Sequence, residues 1–128
     1  MKTLWLNTGH YPVEVGFCPD RSGWKAEMKA MGLDEPYPCE DGARCEYFEY
    51  DGQFKCLILV ADNIDKQSAL GIIGLLVHEV THVWQWIKKV IGEKEPGAEQ
   101  EAYAMQSMSM ELIAMYQRTR LKKPLVIK

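Results

Sequence analysis

The strongest constraint on the fold is a long apolar segment at residues 65–91. Its large apolar side chains recur at the three- and four-residue spacing of one helix face: Leu70, Ile73, Val77, Val80, Trp84 and Ile87. Asp65 is a candidate N-cap, and Gly92 is suited to end the helix in a left-handed conformation. Because the segment is apolar on most sides, we expect the rest of the 128-residue chain to cover it.

The residues before this helix predict a small sheet. Residues 3–6 and 13–17 have strand-like alternation and can pair with each other. Residues 44–50 and 53–61 are rich in aromatic and branched side chains, and they flank Asp51-Gly52, a dipeptide suited to a two-residue hairpin turn. The second arm of this hairpin is continuously apolar, which predicts a strand inside the sheet.

Two more helices complete the predicted α+β fold. Residues 20–32 form a short amphipathic helix with Asp20 or Ser22 as its cap, and residues 96–120 form a second long helix that begins at Pro96 or Gly97. We therefore predict one domain over residues 1–128 with a small, mainly antiparallel sheet. Residues 1–64 hold the strands and the short helix, residues 65–92 the first long helix, and residues 96–120 the second.

Composition excludes several classes of partner. The net charge is −3 and the isoelectric point is about 5.6, which argues against a nucleic-acid-binding surface. No apolar run approaches the roughly 20 residues that span a bilayer, and the N-terminal residues lack the pattern of a signal peptide. We therefore expect a cytoplasmic protein whose four cysteines are buried or half-buried thiols; disulfides and a structural zinc site remain alternatives.

The first long helix carries the motif His78-Glu79-Val80-Thr81-His82. Histidines four residues apart lie on the same face of a helix, where one metal ion can bind both imidazoles. Zinc accepts neutral imidazole nitrogen and, in catalytic sites, takes three protein ligands and a water. The alternative is a pair of core histidines, which would need hydrogen-bond partners inside an apolar helix. The motif therefore favours a zinc site.

Glu79 follows the first histidine by about 100° around the helix, which places its carboxylate beside a metal held by the pair. A carboxylate in that position can accept a proton from a water that zinc has acidified. The motif thus predicts Glu79 as a general base for attack on a carbonyl group.

The third zinc ligand is predicted to be a carboxylate, because the only other histidine, His10, lies far upstream. The candidates follow the motif in the chain: Glu93, Glu95, Glu99, Glu101 and Glu111. Glu101 lies four residues before Met105, on the apolar stripe of the second long helix, whereas Glu99 lies about 200° away. We favour Glu101 over Glu99, with an ordinary acidic residue in a first helical turn as the alternative for either.

The motif and its downstream glutamate resemble the gluzincin-type metallopeptidases over about residues 68–118. The resemblance implies His78, His82 and Glu101 as zinc ligands and Glu79 as the catalytic base. Glu101-Ala102-Tyr103-Ala104 is also similar to the third-ligand helix of small bacterial and phage metallopeptidases that cut repressor proteins, with Met105 where the pattern has alanine. With Gly16-Phe17-Cys18-Pro19, Trp24 with Met28, and Val83-Trp84-Gln85, the whole chain also resembles short proteins encoded by tailed phages and prophages.

These observations predict a zinc-dependent hydrolase, a small metallopeptidase that acts on a protein or peptide inside a bacterial cell. The large additional domains that form the cleft of bigger gluzincins are absent from this sequence. The alternatives are therefore a non-enzymatic assembly or binding protein with a structural zinc, and a hydrolase of a non-peptide amide.

Overall fold

The computed structural model describes residues 1–128 and has the predicted α+β architecture. The main elements in chain order are β1 (Leu4–Trp5), β2 (Val13–Cys18), α1 (Arg21–Ala30), β3 (Ala43–Tyr50), β4 (Gln53–Val60), α2 (Ala69–Ile91) and α3 (Ala98–Tyr116). A short 3-10 turn, Ile64–Lys66, precedes α2, and a wider π turn, Gln117–Leu121, continues α3. No helix combines the length and apolar character needed to cross a membrane.

The four strands form one mixed sheet in the order β1-β2-β4-β3. β1 pairs with β2, as predicted, and the two strands are antiparallel; β3 also pairs antiparallel with β4. Between these two pairs, β2 and β4 run parallel. The apolar strand β4 therefore lies inside the sheet, as its sequence indicates, and β3 forms one edge.

The β3–β4 hairpin turns at the predicted dipeptide. Asp51 and Gly52 both have positive φ angles, 51° and 75°, as a type I′ turn requires. This turn pairs Tyr50 with Gln53 and thereby sets the register of the whole hairpin.

The sheet lies between two helical layers. One face packs against α2 and α3 and includes alternate residues of the central strands, among them Val15, Phe17 and Ile58. The other face packs against α1, where Leu57 and Leu59 contact a cluster with Trp24 and Met28. Residues Cys56 to Val60 of β4 are completely buried between the two layers, and β3 contacts α2 through the Cys45 thiol, which donates to the Glu79 carbonyl.

The start of α2 differs from the prediction. Ser68 is the N-cap, its hydroxyl accepting the Gly71 N–H at 3.0 Å, and the helix begins four residues later than residue 65. Asp65 does not cap this helix, because its carboxylate accepts hydrogen bonds from Tyr116 and Arg120. At the other end, Gly92 closes α2 with φ +71°, as predicted.

All four cysteines are free thiols, as the sequence indicates. Cys18, Cys39 and Cys56 are buried, and Cys45 is half-buried. Burial raises the pKa of Cys18 to about 12 and that of Cys39 to about 11. These two thiols are therefore protonated, and so weak nucleophiles, at neutral pH.

Arg120 joins the end of α3 to the rest of the fold. Its guanidinium donates to the Asp65 carboxylate at 2.8 Å, and to the backbone carbonyls of Pro19 and Asp62, each at 2.9 Å. The arginine side chain is only 10% exposed. It therefore fixes α3 against both the sheet and the turn before α2.

We expect Arg120→Met to lower the free energy of unfolding by about 2–3 kcal/mol. The substitution keeps the aliphatic stem but leaves the Asp65 carboxylate and two carbonyls without their charged donor. Urea unfolding followed by circular dichroism measures the change. The exposed Arg118→Met is the matched control, expected to stay within about 0.5 kcal/mol of the wild type. Equal midpoints for the two variants would contradict this role of Arg120.

Candidate metal centre

His78 and His82 lie one turn apart on the exposed side of α2. Their Nε2 atoms are 3.1 Å apart, and the two rings meet edge to face. Two nitrogens bound tetrahedrally to one zinc ion at 2.0–2.1 Å are about 3.3–3.4 Å apart. A shift of a few tenths of an ångström would therefore suit the pair to one zinc ion.

Gln85 orients the second imidazole. Its Oε1 lies 3.2 Å from Nδ1 of His82, so that this nitrogen can donate its proton to the amide. The tautomer with the proton on Nδ1 leaves the Nε2 lone pair free for a metal, which is the usual arrangement of a metal-binding histidine. Sequence reasoning did not select Gln85; the available signal was an amide three residues after His82, on the same helix face.

Glu79 lies beside the pair and is the one charged residue among the buried residues, with 4% of its surface exposed. Together with His78 it lines an open cleft of about 580 Å³ between the first half of α2 and the start of β3. Gly71 and Gly74 line the same cleft, and a Cβ added to Gly74 would meet no atom within 4 Å. The helix therefore leaves open space in the cleft that His78 and Glu79 line.

The neighbour of Glu79 on the sheet is Cys45. The Cys45 thiol donates to the backbone carbonyl of Glu79, with sulfur and oxygen 3.6 Å apart. The pKa of this thiol is raised, first by its hydrogen bond with Cys56, then by burial, and further by the charge of Glu79. Cys45 thus stays a neutral donor that connects strand β3 to α2 at Glu79.

Glu101 is engaged on another face of α2. Its Oε2 accepts the indole N–H of Trp84 at 2.7 Å and the ammonium group of Lys88 at 3.2 Å. These two hydrogen bonds, that of Trp84 first, lower the pKa of the Glu101 carboxyl. Trp84 and Lys88 lie about 200° and 240° around the helix from His82. Glu101 therefore faces α2, as its stripe indicates, but not the histidines.

No three histidine, cysteine, aspartate or glutamate side chains come together closely enough to hold a metal ion. Two imidazoles fit zinc in donor type and spacing, and the third ligand is not in place. Of the other candidates, Glu111 accepts the backbone N–H of Asn7, Glu93 accepts that of Glu95, and Glu99 is exposed. Glu101 as third ligand stays a prediction, which requires its carboxylate to leave Trp84 and Lys88.

Glu101→Ala tests that prediction directly. If Glu101 binds zinc, we expect the variant to lose more than about a hundredfold in zinc affinity, because losing a residue that only hydrogen-bonds a metal ligand already costs about 10- to 100-fold. Competition with a chromophoric chelator measures the affinity. Glu99→Ala is the matched control, two residues away in the same helical turn, and should bind as the wild type does. Equal affinity of the Glu101 variant and the wild type would remove Glu101 from the ligand set.

Comparisons with known proteins assign no family. Set against known protein families, curated proteins and solved structures, the chain matches none. The resemblance to gluzincins therefore depends on the motif residues themselves.

Proposed function

We propose that this protein is a zinc-dependent hydrolase, in particular a small metallopeptidase. The observation that carries the proposal is the placement of two imidazoles and a carboxylate next to one another on α2, with His78 and Glu79 lining one open cleft. The Nε2 atoms of His78 and His82 are 3.1 Å apart, and the buried Glu79 lines the cleft beside His78. This arrangement suits hydrolysis, because it combines two imidazole ligands with a carboxylate base.

Zinc, when bound, supplies a Lewis acid that polarises a carbonyl group and acidifies water. His78 and His82 would hold it through their Nε2 atoms. Glu79 accepts the proton of the attacking water at its carboxylate and returns it to the leaving amine. Its burial helps, since a carboxylate with few surrounding waters interacts more strongly with charge that develops next to it.

The edge strand β3 supports a peptide as the substrate. Backbone N–H and C=O groups along β3 point alternately toward β4 and toward the open edge. Gly42, just before the strand, is turned to β4, because its carbonyl accepts the Ala61 N–H at 2.9 Å. By this alternation, the backbone groups of Ala43, Cys45 and Tyr47 point to the open edge. An extended peptide can add to such an edge as a further strand. Of the amides that a zinc site can cleave, a polypeptide matches this surface best.

We further propose that the substrate is a protein of the bacterial cytoplasm. Four free thiols are typical of proteins kept in a reducing compartment. A phage or host protein as the target is what the resemblance of the sequence to phage and prophage proteins implies.

The test is metal-dependent proteolysis. The full chain, loaded with one equivalent of zinc, is incubated with an unfolded casein, and fragments are identified by mass spectrometry. We expect fragments that disappear with a chelator and return when zinc is restored. Tight binding of zinc without any cleavage would overturn the proposal and favour a non-enzymatic protein with structural zinc.

A further inference from the structure

We propose that Tyr47 and Trp86 form a recognition surface for an aromatic or large aliphatic side chain of the substrate, close to the bond that is cut. The inference depends on the proposed peptidase function and adds a substrate preference to it. It is carried by the position of the two rings, by their exposure and by an indole N–H without a protein partner.

The two rings lie at the side of the metal centre. Trp86 comes four residues after His82, which places it about 40° around α2 and about 6 Å along it. β3 runs beside α2 in the same direction, since Ala43 lies at the cleft with His78 and Cys45 contacts Glu79. Tyr47, two residues further along β3, therefore meets Trp86, with ring centroids 5.3 Å apart.

Both aromatic residues remain open to solvent, although large apolar groups favour burial. Tyr47 is 42% exposed, and Trp86 is half-buried against the core. The buried tryptophans have their indole N–H groups satisfied: Trp24 donates to a carbonyl and Trp84 to Glu101. Trp86 donates to no protein acceptor, and no buried side-chain nitrogen lacks a partner, so its N–H reaches the surface. The pair thus offers an apolar face and a free donor.

The geometry of the outer edge of β3 determines which substrate side chain reaches the two rings. A residue that pairs with the outer edge of β3 beside Tyr47 places its side chain on the same face of the sheet as Tyr47. That face is the one turned to Trp86. An aromatic or long aliphatic side chain would cover both rings, whereas alanine would leave them in water. The preferred residue of the substrate therefore lies within a few positions of the cleaved bond.

The experiment uses decapeptides of glycine, alanine and serine that contain one phenylalanine at successive positions, with the all-small parent as reference. The zinc-loaded wild type should cleave at least one phenylalanine peptide about tenfold faster than the parent, which corresponds to about 1.4 kcal/mol. In Trp86→Ala and in Tyr47→Ser this ratio should fall to near one. Trp5→Ala is the control, because Trp5 is an exposed tryptophan on β1, at the opposite edge of the sheet.

Measurements of peptide binding distinguish a failure of the recognition surface from a failure of the proposed peptidase function. Glu79→Gln with zinc should bind the best phenylalanine peptide about tenfold more tightly than the parent, and adding Trp86→Ala should abolish the difference. Fluorescence anisotropy of labelled peptides measures both affinities. A binding preference without cleavage would support the recognition surface and contradict the peptidase. Equal binding of the two peptides, or a preference that survives both Trp86→Ala and Tyr47→Ser, would overturn the inference. Circular dichroism shows that each variant is folded.

Discussion

Replacing Glu79 by glutamine is expected to lower the rate of casein cleavage by about 10²- to 10⁴-fold while zinc stays bound, since this range is the usual contribution of a positioned general base. Glutamine has the shape of glutamate, so it fits the same buried position between α2 and β3. What it lacks is the capacity to accept a proton at neutral pH. The change should therefore appear in kcat and not in zinc content.

Two measurements make this result specific. Zinc content by atomic emission should equal that of the wild type, and the thermal unfolding midpoint should change little. Asp41→Asn is the matched control, because Asp41 lines the same cleft but lies on the loop before β3. Cleavage by the Glu79 variant at the wild-type rate would exclude Glu79 as the base.

The second large effect concerns the metal. We expect His78→Ala combined with His82→Ala to lose more than about a hundredfold in zinc affinity, because losing a residue that only hydrogen-bonds a metal ligand already costs about 10- to 100-fold. Both histidines are exposed on α2, so their removal creates no cavity in the core. The double variant should therefore fold and fail only in metal binding.

Thermal unfolding with and without zinc gives an independent measure. A ligand at one hundred times its Kd stabilises the folded state by about 2.7 kcal/mol, which raises the melting temperature of the wild type. The double variant should show no such rise. His10→Ala is the control, since His10 lies in the loop between β1 and β2, and its response to zinc should match that of the wild type. A zinc-dependent rise that persists in the double variant would place the metal elsewhere.

Local signals in the sequence were sufficient for most of the fold. Asp51-Gly52 determines the hairpin because few residues tolerate two successive positive φ angles. Gly92 ends α2 because glycine adopts a positive φ without steric cost. The parallel pairing of β2 with β4 was not predicted, because α1 and β3 separate the two strands in the chain. The apolar run of β4 indicates an interior strand but does not identify its neighbours.

The start of α2 shows how a distant contact changes a local preference. Asp65 is a good cap by residue type, but Tyr116 and Arg120, more than fifty residues later, bind its carboxylate. Ser68 then caps the helix in its place. Such a contact cannot be deduced from helix periodicity, which describes one segment at a time.

Helix periodicity likewise predicts only part of the candidate site. The four-residue spacing of His78 and His82 is enough to predict that their rings converge, because both belong to one helix. Periodicity also shows that Glu101 faces α2, but it does not show which side of α2 receives the carboxylate. That side depends on how the two helices are rotated against each other, and here Trp84 and Lys88 meet Glu101.

The open edge of β3 also has a consequence for the behaviour of the protein at high concentration. An unpaired strand is a template for aggregation as well as for substrate, since another copy of the chain can pair with it. Arg44, Glu46 and Glu49 place charge along this strand, and in the parallel, in-register stacking of a fibril each of these charges would lie against its own copy. The same strand can therefore accept a foreign peptide and still resist the growth of fibrils.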